Sequence, residues 1–287
     1  MPATERAWMQ YATQAPIAPP IELGDPGSEL LVLRKISKHF GPVQSLIDVD
    51  LEVPSGKVTA LVGDNGAGKS TLIKCIAGIY SPDGGEMSFA GRQVKFHSPK
   101  DAADSGIETV YQDLALCDNL DIVQNMFLGR ERTTRAILDE DSMETSAKET
   151  LASLSVTSVR SIRQPVSSLS GGQRQAVAVA KAVMWNAKLV IMDEPTAALG
   201  VAQTRMVLDL VRRLSKRGLG VLIISHNMND VFEVADRIAV LQLGRMVAQD
   251  AASAFDRQVV VDLMTTGAST RRPGGSAATP STPNEMN

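Results

Sequence analysis

The chain has 287 residues, of which 44% are hydrophobic and 21% charged, with a formal net charge of −3. This is an ordinary globular balance, long enough for one large domain or two small ones, and it lacks the basic excess that drives whole-surface binding to nucleic acid or anionic lipid. No stretch reaches the roughly 18 apolar residues of a membrane span, and the first residues carry no apolar leader core, so the expectation is a soluble, cytoplasmic protein that reaches a membrane only through a partner.

Residues 1–28 are rich in Pro and Ala and have no periodicity, which predicts a disordered tail. Residues 30–53 and 86–96 read as shorter strands with polar alternation, an antiparallel edge subdomain. Val58–Val62 is an apolar run that suits a strand covered on both faces. A Gly-rich turn comes next, then a helical stretch, KSTLIKCIAG, stopped by Gly78. Ile107–Tyr111 reads as a further buried strand. Residues 114–186 read as mainly helical, with Asp141–Leu154 the longest helix, a helical insertion into the sheet domain.

Leu189–Met192, Val221–Ile224 and Ile238–Leu241 complete the buried strands. Between the first two, Val207, Leu210, Val211 and Leu214 recur at helical spacing over Val201–Lys216, and Gly218 ends the helix. Residues 268–287 are polar and rich in Gly, Pro, Ser and Thr, a second predicted disordered tail. The fold class is therefore α/β, with a mainly parallel core sheet, an antiparallel β subdomain and a helical subdomain, all within residues 29–267. Cys75 and Cys117 fit neither a zinc pattern nor a C-x-x-C redox pair, and read as packing residues near helices.

GDNGAGKST spans Gly63 to Thr71 and fits G-x-x-x-x-G-K-[ST] between a strand and a helix. Backbone N–H groups of Gly63, Asp64, Asn65, Gly66, Ala67 and Gly68 would cradle phosphate oxygens, and the helix N-terminus adds its positive dipole. Lys69 is placed to reach the β- and γ-phosphates, Ser70 to offer a hydroxyl to Mg²⁺, and Thr71 to bond the α-phosphate. ATP and Mg²⁺ are the ligands this motif implies.

In LVIMDEP, Asp193 and Glu194 stand at the end of a buried strand, where open α/β sheets bind ligands. Asp193 suits Mg²⁺, mostly through water. Glu194, one residue further out, suits a base that orients and polarises the attacking water. A plain acidic turn is the competing reading, and proximity to a phosphate loop weighs against it.

LSGGQ at Leu169–Gln173, ahead of an Ala- and Val-rich helix and the DEP strand, resembles the ATP-binding cassette superfamily. Its physical logic is a second helix N-terminus at which Ser170, Gly171, Gly172 and Gln173 expose donors to phosphate. The resemblance spans about residues 30–265. It implies that the two cradles meet one ATP in a head-to-tail homodimer. It also implies that Phe40 stacks on adenine, that Gln112 attends Mg²⁺ and the attacking water, and that His226 contacts the γ-phosphate. His39 and His97 match nothing and read as surface residues. Where the superfamily usually has an aspartate after DEPTAAL, this chain has Gly200, which puts cross-talk between the two sites in doubt.

The runs YQDLALCDNLDIVQNMFLGRE and DEPTAALGV resemble more narrowly the ATP-binding subunits of bacterial monosaccharide importers of the ribose, xylose and fructose kind. That implies an integral-membrane permease as partner, an extracytoplasmic sugar-binding protein indirectly, no nucleic acid, and a place on the cytoplasmic face of the membrane. The segment Leu114–Leu128, including Leu116 and Phe127, is expected to form a groove for a short permease helix. A soluble ATPase acting on DNA or ribosomes would carry long heptad insertions or two cassettes with basic linkers, and neither is present. An exporter subunit is the other alternative.

Overall fold

A computed structural model describes residues 27–134 and 137–268. Most of the two predicted disordered tails therefore lies outside the described residues. Gly27 and Ser28, assigned to the first tail, are instead tied down: the N–H of Gly27 donates to the Ser55 carbonyl, and that of Ser55 to the Ser28 carbonyl.

The chain opens with β1 (Glu29–Phe40) and β2 (Val43–Pro54), an antiparallel pair of twelve residues each. They are long strands, where shorter ones were expected. The reason is a series of bulges, with register shifts between Leu33 and Ile36 and between Ile36 and Lys38, and Lys35 and Asp48 in left-handed conformation. Each bulge breaks the period-2 pattern that marks a strand in sequence. After β3 (Val58–Val62) and helix α1 (Lys69–Ile76) come β4 (Gly84–Phe89) and β5 (Arg92–Val94), which complete a four-stranded sheet of order β2-β1-β4-β5.

Helix α2 (Pro99–Ser105) leads to β6 (Ile107–Val110). The predicted helical insertion contains α3 (Ile122–Phe127), a small hairpin of β7 (Thr133–Thr134) and β8 (Ile137–Leu138), α4 (Glu140–Ser153) and α5 (Gly171–Met184). Cys117 lies in the irregular segment before α3, bonded to that helix through Asn125. The chain then runs through β9 (Leu189–Asp193), α6 (Val201–Lys216), β10 (Gly220–Ile224), α7 (Met228–Val234), β11 (Arg237–Gln242), β12 (Arg245–Ala251) and α8 (Arg257–Thr266).

The second sheet has the order β12-β11-β3-β10-β9-β6. All its pairings are parallel except the edge pair β11–β12. Its central strands are covered on both faces. Val190, Met192, Val221 and Ile223 join one core with the helices of the insertion, α6 and α8. Leu189, Ile191, Leu222 and Ile224, one residue out of phase, join the other core with α1 and the antiparallel sheet. Parallel strands end on the same side, so the loops leaving the carboxyl ends of β3, β6, β9 and β10 converge on one edge of the sheet.

Candidate active site

The loop after β3 turns back on the sheet so tightly that only glycine fits at its ends. A Cβ at Gly63 would collide with the Leu241 carbonyl oxygen, and one at Gly68, where φ is +104°, would lie 2.8 Å from the Ser45 carbonyl. Between them Asp64, Asn65 and Gly66 are exposed, and Ala67 is buried under the loop. The Lys69 ammonium crosses the loop and donates to the carbonyls of Gly63 (2.6 Å) and Asp64 (2.9 Å). Burial pushes its pKa down, opposed by the charges of Glu194, Asp193 and Asp64. Thr71 accepts a 2.9 Å hydrogen bond from Ser45.

Asp193 ends β9 half-buried. Burial raises its pKa, the neighbouring Glu194 raises it further, and Lys69 opposes both. Glu194 leaves the strand with φ +48°, a left-handed conformation unusual for a residue with a Cβ. Its N–H is held by the Ile224 carbonyl at 2.9 Å. Its carboxylate Oε1 lies 2.7 Å from His226 Nδ1. One residue beyond Pro195, Thr196 donates 2.6 Å to the buried Asp230.

These groups line one cavity of about 440 Å³. It gathers the predicted Asn65, Gly66, Gly68, Lys69, Ser70, Thr71, Gln112, Asp193, Glu194 and His226. It also holds three residues that no motif announced: Ser45, Ala197 and Ile224. The floor is a phosphate loop with a cation, and the wall is a carboxylate bonded to an imidazole. Such an arrangement can bind a polyphosphate and polarise a water beside it.

Neither Phe40 nor any residue from Ser170 to Gln173 lines this cavity. Phe40 ends β1, 43% exposed, with its ring edge-on to Tyr80 at 5.2 Å. Ser170 caps α5 in a capping box: its hydroxyl accepts from the Gln173 N–H, and the Gln173 side chain accepts from the Ser170 N–H. The two glycines have a packing duty beside any phosphate role. A Cβ at Gly172 would stand 2.5 Å from the Met206 methyl and 3.1 Å from Gln203 Cβ on α6, and one at Gly171 would stand 2.8 Å from Leu199. Gly200 is the N-cap of α6, in extended conformation with no side-chain cap and open space around it. His97 is on the surface as expected, and His39 is exposed with its Nδ1 2.9 Å from the Asp83 carboxylate.

A second cavity, about 330 Å³, opens beside Gln112, between β6 and α5. Leu114, Ala115 and Leu128 line it, as anticipated for the 114–128 segment. Leu116 and Phe127 do not. Phe127 is wholly buried, edge-on to Trp185 at 5.6 Å, and Leu116 packs on the main core. Short apolar runs do not reveal which member points inward.

The turn Cys117–Asp121 ahead of α3 depends on Asn125, a buried side chain missed in the sequence. Asn125 accepts from the Cys117 N–H at 2.7 Å and donates to the carbonyls of Cys117, Leu120 and Asp121. The far edge of the same turn bonds the lead-in to α5, through Val166 N–H to Leu120 and Ser167 N–H to Asp118, with Arg174 ion-paired to Asp118 at 2.9 Å.

Comparison with known proteins places this geometry. Residues 46–197 match the family described as ABC transporter. The chain is 50% identical over 238 residues to the xylose/arabinose import ATP-binding protein XylG of Sulfolobus acidocaldarius, covering 83% of this chain and 94% of that one. It is 48% identical over 223 residues to the fructose import ATP-binding protein FrcA of Rhizobium meliloti, covering 75% and 86% respectively. Among solved structures, the ADP conformation of the ATP-binding cassette MJ1267 superposes with a TM-score of 0.71 at 27% identity, over 83% of this chain and 95% of that one. A dimeric post-hydrolysis state of the cassette MJ0796, bound to ADP and Pi, does so with 0.64 at 25% identity, over 79% and 100%.

Proposed function

This chain belongs to the ABC transporter family, and from that premise we propose that it is the ATP-hydrolysing subunit of a monosaccharide importer, acting as a head-to-tail homodimer on the cytoplasmic face of the membrane. As an ATPase of this family it needs a membrane-spanning partner to move anything, because among the described residues no helix is long and apolar enough to cross a bilayer. The relatives XylG and FrcA are named for xylose, arabinose and fructose import, which supports a pentose or hexose as cargo.

The roles of the side chains derive from their chemistry. Gly63 to Gly68 with Lys69 bind the phosphates, and Thr71, steadied by Ser45, borders them. The resemblance to cassette ATPases assigns Phe40 to the adenine, from a position outside the cavity. Glu194 accepts the proton of the attacking water, with its carboxylate oriented by His226. Mg²⁺ fits the donors present, which are hard oxygens: the Ser70 hydroxyl, the Gln112 amide and the Asp193 carboxylate. When bound, the ion would neutralise charge on the phosphate oxygens.

One observation carries the dimer. The cavity holds the phosphate loop, both acids and His226, yet none of Ser170, Gly171, Gly172 or Gln173. A second chain packed head to tail would bring that helix N-terminus to the open side. The MJ0796 cassette, solved as a dimer, supports a dimeric assembly. The test mixes a Lys69→Ala chain with a Gly171→Asp chain. Homodimers of either have a defect in both sites, whereas the mixed dimer has one site with both defects and one with none. Verified heterodimers should regain hydrolysis. Complete absence of rescue, with single-site nucleotide trapping measured, would overturn the composite site. Uptake of labelled xylose, arabinose, fructose and ribose by the reconstituted transporter identifies the cargo, and no uptake of any of them would sink the sugar assignment.

A further inference from the structure

We propose that Thr196 and Asp230 are positioning residues for ATP hydrolysis: their hydrogen bond ties the segment that carries Glu194 to α7 and so holds the carboxylate within reach of the attacking water. This rests on the role given to Glu194 above and adds what keeps that base in place.

Glu194 and His226 follow neighbouring parallel strands and touch at 2.7 Å. A second bond crosses the same gap further along the chain. Thr196, two residues after Glu194, donates at 2.6 Å to Asp230, four residues after His226. Thr196 lies inside a tight turn. The Ala197 N–H donates to the Glu194 carbonyl at 3.0 Å, and the Leu199 N–H to the Thr196 carbonyl at 3.3 Å. Glu194 and Ala198, on either side of Thr196, both have positive φ, +48° and +58°. A turn of that shape needs restraint from outside itself. Among the described residues, the Glu194 carboxylate and the Thr196 hydroxyl make the only side-chain hydrogen bonds that leave it.

The other end of the tie is firm. Asp230 is buried, and Thr196 is its only hydrogen-bond donor among the described residues. Helix α7 is itself braced: Asn227 accepts from the Asn229 N–H at 3.0 Å, and the Asn229 side chain accepts from Arg257 of α8 at 2.7 Å. A buried carboxylate with a single donor is a cost that an apolar pair of the same size would not carry. What the polar pair supplies is a fixed distance and direction between the two segments. A base must stand within hydrogen-bond reach of its water, and a misplacement of about 1 Å can cost about a hundredfold in rate.

The test measures phosphate release by the full-length chain over a range of ATP concentrations, with urea midpoints for stability. Thr196→Val keeps the shape and removes the hydroxyl. Its kcat should fall about ten- to a hundredfold with the KM for ATP little changed, because no phosphate contact is touched. Thr196→Ser keeps the donor and should restore the rate. Thr196→Val also strands Asp230 and lowers stability, so it is paired with the double variant Thr196→Val with Asp230→Leu, in which neither partner is left unsatisfied. The double variant should regain stability while its kcat stays low. In a Glu194→Gln background, Thr196→Val should lower the residual rate no further, since it acts through that carboxylate. A wild-type kcat in Thr196→Val, a double variant that recovers turnover together with stability, or a further fall behind Glu194→Gln would each overturn the proposal and leave the ATPase reading intact. A wild-type chain that releases no phosphate would overturn both.

Discussion

Glu194 Oε1 stands 2.7 Å from His226 Nδ1, a contact between the ends of two neighbouring parallel strands, β9 and β10. The imidazole is open to solvent and the carboxylate mostly is not, so the bond joins a mostly buried carboxylate, whose N–H is held by the Ile224 carbonyl, to a more exposed ring. Glu194→Gln keeps the shape and a hydrogen bond to His226 but removes the base. Phosphate release should fall by about a hundred- to ten-thousand-fold with ATP affinity retained. Wild-type turnover in that variant would remove Glu194 from the reaction.

Lys69 now bonds two carbonyls of its own loop. An ammonium so held can exchange those weak acceptors for charged phosphate oxygens with little movement. Lys69→Ala should weaken ATP binding by about 2 kcal/mol, roughly thirtyfold, measured by calorimetry. An unchanged affinity would argue against the placement of the phosphates.

Asn125 both accepts and donates in its buried bracket. Asn125→Ala strands the Cys117 N–H and should cost about 2–3 kcal/mol of stability. Asn125→Asp should cost more, because an ionised carboxylate cannot donate to the three carbonyls it would face. Urea midpoints give the order, and an Asp variant as stable as the wild type would contradict the bracket.

Gly200 leaves the N-terminus of α6 without a side-chain acceptor, and nothing crowds a Cβ there. Gly200→Asp should stabilise the chain by about 0.3–1 kcal/mol through capping and the helix dipole. Thermal denaturation would show it as a small rise in midpoint; a fall would mean that the loop is less open than it looks.

The parts of this protein that sequence reveals are those whose cause is local. The Gly63–Thr71 loop is legible because phosphate binding demands glycines, a lysine and a hydroxyl in a row. The buried strands are legible because covering both faces requires apolar residues without interruption, as in Leu189–Met192. Ser45 was invisible because its role depends on Thr71, 26 residues away on helix α1. Asn125 was invisible because a polar residue inside a helix announces nothing until its turn folds over it. Gly172 looked like a phosphate residue alone, since its close neighbour Met206 arrives from another helix. The bulges of β1 and β2 hid their length for a related reason: the alternation they break is the signal itself.

Glu194 holds φ at +48°, where a side chain with a Cβ costs about 1–2 kcal/mol that glycine would not. The backbone at this point would settle more easily around glycine or asparagine, and the chemistry needs the carboxylate. Durability and turnover therefore pull against each other at one residue. A laboratory screen that ranks variants of this chain by heat resistance alone would tend to collect proteins that have stopped working.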